Sequence, residues 1–206
     1  MQFTDLETIE IAPVSSLIRK KMKSDDRNIE PQTHSRTVTK IYCTTFDSRI
    51  GRIYVASTDA GVCKISLPKE TRKDFFQWIE GHFDLDAVVD NKSHNKDVID
   101  QLNRYFNGKL AKFNVATDLI GTPFQIRVWK ELAKVEYGTT ISYKQLARRV
   151  KAPQAFQAVG RANACNPLPV VIPCHRVIGT NGSLVGYSAG IKTKEFLLRL
   201  EGAIML

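Results

Sequence analysis

The sequence predicts an α/β (α+β) chain, with a small N-terminal domain on an antiparallel sheet and a mostly helical C-terminal domain that contains a helix-turn-helix. Three observations predict it. Three short β-rich runs separated by hairpin-length gaps lie between residues 38 and 67. Two capping boxes, each opening a run with helical apolar spacing, follow residue 121. The net charge of +9 is confined to one half. Residues 1–108 hold sixteen Lys and Arg against sixteen Asp and Glu, whereas residues 109–206 hold fourteen against five. That asymmetry suits a neutral scaffold joined to a module that faces nucleic acid; the alternative is a basic surface that is merely solvated.

Residues 1–36 read as a weakly structured extension, with few aromatics, mixed charges at 20–27 and a short helix around Ser15–Met22. A first domain spans 37–116. Its strands are Val38–Phe46, Arg52–Ser57 and Val62–Leu67, with turns at Asp47–Gly51 and Asp59–Gly61. Asp74–His82 and Lys96–Phe106 read as helices, the second placing Val98, Leu102, Tyr105 and Phe106 on one face before Gly108. A second domain spans 117–206. Thr122-Pro123-Phe124-Gln125 is a capping box with proline at the first helical position, and its helix runs to about Val135. Ser142-Tyr143-Lys144-Gln145 opens a helix through Arg149, Lys151-Ala152-Pro153 is a turn, and Gln154 to about Ala164 is the next helix. Asn181-Gly182 signals a hairpin turn, and Lys192–Glu201 is a last helix with Phe196, Leu197 and Leu200 facing inward.

Bulk properties exclude several classes. No run of eighteen apolar residues offers a membrane span. The acidic stretch Met1 to Pro13 does not resemble a secretory signal, so a cytoplasmic protein is expected, or a nuclear one if the organism is a eukaryote. The four cysteines, Cys43, Cys63, Cys165 and Cys174, have no short metal-binding spacing, so free thiols and no metal are expected. Cys43 and Cys63 read as strand core residues; His34, His82 and His94 lie in polar stretches and read as solvated.

One cysteine stands apart. Cys174 precedes His175 and follows Val170-Val171-Ile172-Pro173, an apolar run that would hold the pair rigidly. A thiol attacks as thiolate, and an imidazole that takes its proton supplies that form at neutral pH. Such a base needs an orienting acceptor, for which a carboxylate serves best. The alternative is a buried, inert cysteine at a strand end.

The stretch Asn166-Pro167 … Ile172-Pro173-Cys174-His175-Arg176-Val177 resembles the active-site signature of the O6-alkylguanine-DNA alkyltransferases. The likeness extends in order through Gln101-Leu102, Tyr105-Phe106 and Gly108; Gly121–Gln125 and Val128-Trp129; Ile141-Ser142-Tyr143; Ala158-Val159-Gly160; Gly186-Tyr187-Ser188; and Glu201-Gly202. It covers about residues 37–202.

The resemblance implies direct reversal of DNA damage. An O6-alkylguanine is flipped out of double-stranded DNA, and its alkyl group passes irreversibly to Cys174 in a single turnover. By the same resemblance His175 deprotonates Cys174 through a water, Glu201 orients His175, and Asn166 braces the turn carrying the cysteine. Tyr143 donates to guanine N3, because guanine otherwise leaves as an anion. The backbone carbonyls of Cys174 and Val177 accept from the guanine 2-amino group, and Tyr187 and Ser188 wall the pocket. Ala155, Phe156, Gln157, Ala158, Gly160 and Arg161 form the DNA-facing helix, which enters the minor groove. No cofactor is implied, and a monomer acting on DNA, with no membrane partner, is expected.

Two residues depart from the family pattern. Gln157 stands where an arginine normally fills the gap left by the flipped base, and Phe156 replaces a small residue. Phe156 with Gln157 can act as an apolar wedge; alternatively Phe156 packs in the helix interface. Two rival functions remain open: a damage sensor that binds alkylated DNA without accepting the alkyl group, against which Cys174 argues, and a thiol hydrolase with a Cys-His-Glu triad.

Overall fold

Near-continuous burial along the first strands marks a sheet covered on both faces. The structure is a computed structural model describing residues 39–205, so the reading of residues 1–36, with its short helix and His34, lies outside the described residues. Strands β1 (Ile41–Ser48), β2 (Gly51–Thr58) and β3 (Gly61–Ser66) pair antiparallel in sequence order. Ile41, Cys43, Ala56 and Cys63 point to one face, where Phe75 and Ile79 of α1 (Arg72–Glu80) cover them. Ile53, Val55, Val62 and Ile65 point to the other, under Val98, Leu102, Tyr105 and Phe106 of α2 (Lys96–Phe106). On β1 and β2 this is the period-two division expected of a pleated strand; on β3 a register shift opposite Ala56 and Ser57 interrupts it, so Cys63 and Ile65, two residues apart, join different clusters.

The sheet departs from the expected antiparallel form. A fourth strand, β4 (Val88–Asp90), pairs parallel to β1, giving the order β3-β2-β1-β4. Its three residues are too short to stand out as a periodic run, and the partner lies more than forty residues away. Helix α1 also begins two residues earlier than expected, because Thr71 and Asp74 form a capping box.

In the second half α3 (Pro123–Leu132) and α4 (Tyr143–Arg149) start at the two expected boxes. Thr122 and Gln125 exchange bonds, as do Ser142 and Gln145. Each cap is worth about 1 kcal/mol. Helix α3 ends at Leu132 rather than near Val135, through a turn in which Val135 N donates to Leu132 O. Helix α5 (Phe156–Ala164) starts two residues later than expected. Pro153 disfavours helical backbone in Ala152, and Ala155 N closes a turn on Ala152 O, so Gln154 and Ala155 belong to the connection. Helices α4 and α5 pack together and both pack on α3.

The Asn181-Gly182 stretch is a turn, but it joins no hairpin: Gly179 N donates to Ser183 O across it. The neighbouring strand β6 (Val177–Ile178) pairs parallel to β5 (Ile141–Ser142) instead. The last helix, α6 (Ile191–Leu200), buries Leu197 as expected but also Lys194 and Leu198, while Phe196 and Leu200 are half-buried.

One apolar core runs from the α2 face of the sheet through Val128, Trp129 and Leu132 to Ile172, Val177 and Leu197. The halves are stitched further by Ile65 N donating to Pro167 O. The segment that carries the cysteine is thereby anchored on both domains. Among the described residues no helix is long and apolar enough to cross a membrane.

Candidate active site

Cys174 opens a single 3-10 turn, Cys174–Arg176, rather than ending a strand. The apolar run before it is not extended. Ile172 N donates to Leu168 O, and Val170 takes φ 77°, a left-handed conformation that costs a β-branched residue about 1–3 kcal/mol. The surrounding core, in which Leu168, Val170 and Ile172 are all buried, holds that conformation.

Asn166 fixes the thiol. Its Nδ2 donates to Ile172 O at 2.8 Å and to Cys174 Sγ at 3.0 Å, while its Oδ1 accepts from Leu168 N at 3.0 Å. The thiol is 2 % exposed. Burial pushes it up to about 11, against the pull of the Asn166 hydrogen bond and the Lys194 charge. It is therefore a protonated thiol near neutral pH and needs a base.

His175 is the adjacent imidazole. It is fully buried, its Nε2 lies 2.9 Å from Glu201 Oε1, and burial holds the imidazole below its usual range, so it is neutral. Its Nδ1 is buried with no hydrogen-bond partner among the described residues. Burial opposes ionisation of Glu201, yet hydrogen bonds from His175, Arg176 and Tyr105 hold its carboxyl down at about 2.

The residues expected to bind the base come from two further segments. Tyr143, the first residue of α4, donates to Gly186 O at 3.1 Å, and Gly160 of α5 lies against its ring. Gly186 is left-handed, and a Cβ there would stand 2.9 Å from Tyr143 Oη. Tyr187 sits edge-on to His175, with ring centroids 6.4 Å apart, and its buried hydroxyl also has no partner among the described residues. Val177 O accepts from Lys194 Nζ at 2.6 Å. Ser188 borders a cleft of about 330 Å³ beside the site, with Cys165, Asn166 and Pro169, and with Trp78 and His82 of the first half opposite.

Of the residues expected on the DNA-facing helix, Gln157 and Arg161 are exposed, Ala158 and Gly160 are half-buried, and half-buried Ala155 lies just ahead of α5 in the connection. Phe156 is 54 % exposed and outside both apolar clusters, which argues against packing in the helix interface. Cys43 and Cys63 lie in the sheet core, Cys165 is exposed, and all four cysteines are free. His82 and His94 are exposed. Among the described residues no group of three or more His, Cys, Asp or Glu could hold a metal ion.

Four residues at the site were given no role there from sequence. Arg176 grips Glu201 with Nε and Nη2, both at 2.8 Å. Tyr105 of α2 donates to Glu201 Oε1. Lys194 ties the Cys174 turn to the pocket loop through Val177 O and Val185 O, and burial lowers it to about 8. Asn163 of α5 donates to Cys174 O at 3.5 Å. Arg176, Tyr105 and Lys194 lie within stretches that resemble the family and could have been weighed on that ground, whereas nothing in the sequence marked Asn163.

A two-part chain in which a buried Cys-His-Glu arrangement hangs beneath a basic helix-turn-helix defines a class: a thiol nucleophile presented to DNA. Family comparison gives the same class. Residues 41–119 match the 6-O-methylguanine DNA methyltransferase ribonuclease-like domain, and residues 123–203 match the 6-O-methylguanine DNA methyltransferase DNA-binding domain. The chain is 40 % identical over 163 residues to the methylated-DNA–protein-cysteine methyltransferase of Methanosarcina acetivorans, covering 79 % of this chain and 99 % of that protein. The crystal structure of Mycobacterium tuberculosis O6-methylguanine methyltransferase superposes with a TM-score of 0.67 at 39 % identity, covering 79 % of this chain and 93 % of the other. That of the Pyrococcus kodakaraensis O6-methylguanine-DNA methyltransferase gives 0.56 at 26 %, covering 79 % and 99 %. The chain belongs to the 6-O-methylguanine DNA methyltransferase family.

Proposed function

We propose that this chain repairs O6-alkylguanine in double-stranded DNA by moving the alkyl group onto Cys174. The observation that carries the reading is Cys174 Sγ held by Asn166 beside a neutral, Glu201-bound His175, in the half that bears the excess positive charge. The M. tuberculosis relative has been crystallised in complex with DNA, which supports DNA as the partner.

The thiol proton passes toward His175 Nδ1 as sulfur attacks the alkyl carbon. The S–C bond forms, the C–O6 bond breaks, and its electron pair stays on guanine. Tyr143 turns its phenol proton from Gly186 O to guanine N3, so the base departs neutral; the proton on His175 restores the phenol through solvent. The Cys174 and Val177 carbonyls accept from the 2-amino group, and Tyr187 and Ser188 bound the base. The thioether is stable to water, so each chain reacts once. Ala155, Ala158 and Gly160 give α5 a low profile for close approach to the duplex, Arg161 adds charge, and exposed Phe156 with Gln157 fills the gap left by the flipped base.

We further assign 37–116 as the scaffold domain and 117–206 as the DNA-binding and acceptor domain, a division that the bounds of the two family matches support. Free cysteines suit a reducing compartment, the cytoplasm or the nucleus of a eukaryote.

Intact-mass measurement after mixing with an O6-methylguanine duplex tests the reading. One added methyl group, mapped to Cys174 and absent in Cys174→Ser, is expected. DNA binding without a mass change would favour a damage sensor, and multiple turnover on an activated ester would favour a hydrolase.

A further inference from the structure

We infer that Tyr105, acting with Arg176, is a positioning residue for alkyl transfer: the two clamp Glu201 so that His175 carries its proton on Nε2 and presents the Nδ1 lone pair toward the thiol. The inference rests on the acceptor role of Cys174 proposed above.

The Glu201 side chain is fully buried and receives donors from four residues in three segments of the chain. Oε1 faces His175 Nε2 at 2.9 Å, Arg176 Nη2 at 2.8 Å and the Tyr105 hydroxyl. Oε2 faces Arg176 Nε at 2.8 Å and Gly138 N at 3.3 Å. Arg176 Nη1 is in turn committed to Val135 O. A carboxylate has about four lone-pair sites, so this one is saturated and cannot rotate without breaking several charge-assisted bonds.

That saturation fixes the imidazole. Tyr105 Oη gives its proton to Glu201, so at 3.4 Å it turns a lone pair toward His175 Nε2. A bare Nε2 would face two oxygen lone-pair sets at once. The proton therefore belongs on Nε2, and Nδ1, buried and unpartnered among the described residues, is left as the base.

The charges around the ring set its protonation. Glu201 favours the imidazolium; burial, Arg176 and Lys194 oppose it, and the neutral form results. Cys174 and Tyr187 complete the surroundings and are uncharged near neutral pH. Arg176 thus offsets a carboxylate that would otherwise stabilise the imidazolium and hold the base protonated, and Tyr105 takes a share of the same oxygen. Tyr105 comes from α2, ninety-six residues before Glu201, so the first domain contributes directly to the geometry of the reacting site.

The test pairs one substitution with one measurement on the unaltered chain. In the wild-type protein, 15N NMR of the imidazoles is expected to show His175 neutral at pH 7, protonated at Nε2 and bare at Nδ1. In Tyr105→Phe the ring keeps its packing against Phe106, Phe113 and Tyr137. The rate of Cys174 methylation by an O6-methylguanine duplex is then expected to fall about tenfold at pH 7, the equivalent of one hydrogen bond, and the acid limb of its pH profile to move to higher pH. Duplex affinity should stay unchanged. A proton on Nδ1, or a Tyr105→Phe profile superimposable on wild type, overturns the inference while leaving the acceptor role intact. Wild-type protein that gains no methyl at Cys174 overturns both.

Discussion

Replacing Asn166 with alanine removes three hydrogen bonds from a residue that is 7 % exposed. Two consequences can be weighed separately. For the fold, Leu168 N loses its Asn166 acceptor within a fully buried residue, which costs about 1–3 kcal/mol. Ile172 O retains the bond from Cys174 N, so losing Asn166 Nδ2 there costs about 1 kcal/mol. The sum, about 2–4 kcal/mol, is a large share of the stability of a domain this size. For the chemistry, the side-chain hydrogen bond that counters burial at Cys174 disappears, and the thiol rises further above about 11. Asn166→Ala should therefore unfold at lower urea with an unchanged slope, followed by fluorescence of the buried Trp129, and methylation by an O6-methylguanine duplex should slow at every pH below the thiol's own. Asn166→Asp keeps the acceptor for Leu168 N but sets a carboxylate against the sulfur, so it should recover part of the stability and none of the rate. Asn166→Ala at wild-type stability and rate would refute the view that this amide holds the turn and the thiol together.

Acid should destabilise the protein in two stages. Glu201 is depressed from 4.5 to about 2, so its contribution is present above 4.5 and lost as pH falls toward 2, about 3 kcal/mol in all; His175 is also depressed, so its contribution is lost as pH falls below its ordinary 6.5. Urea melts from pH 7 to pH 3 check this, and a flat profile contradicts it. Gly186→Ala introduces a Cβ 2.9 Å from Tyr143 Oη at φ 58°, a backbone cost of about 1–2 kcal/mol; methylation should slow more than that stability loss explains, and a wild-type rate would contradict it. Phe156→Ala and Gln157→Ala should slow repair of duplex DNA while leaving reaction with free O6-benzylguanine unchanged. Equal loss on both substrates, or none on duplex, rejects the wedge.

The elements read correctly from sequence are those decided within a few residues. The boxes at Thr122/Gln125 and Ser142/Gln145 close over three positions, and the buried stripe Val98, Leu102, Tyr105, Phe106 repeats within one helix. Cys174 and His175 stood out as a candidate pair because they are neighbours in sequence, but the acceptor role was read from the resemblance of the surrounding motif rather than from the pair alone. Helix α5 was misplaced by two residues because the turn bond at Ala155 competes with the helix, and β4 was missed because its strand exists only through β1.

The chain alone determined which atoms could react, since that is a property of residue types and local spacing. Tertiary structure decided their state. Burial raises the thiol and keeps the imidazole neutral; Arg176, Tyr105 and Gly138 fix Glu201 from three separate segments, and Lys194 is driven inside a helix that otherwise reads as amphipathic. Desolvation and convergent hydrogen bonds depend on what lies across space rather than along the chain, so no local pattern records them.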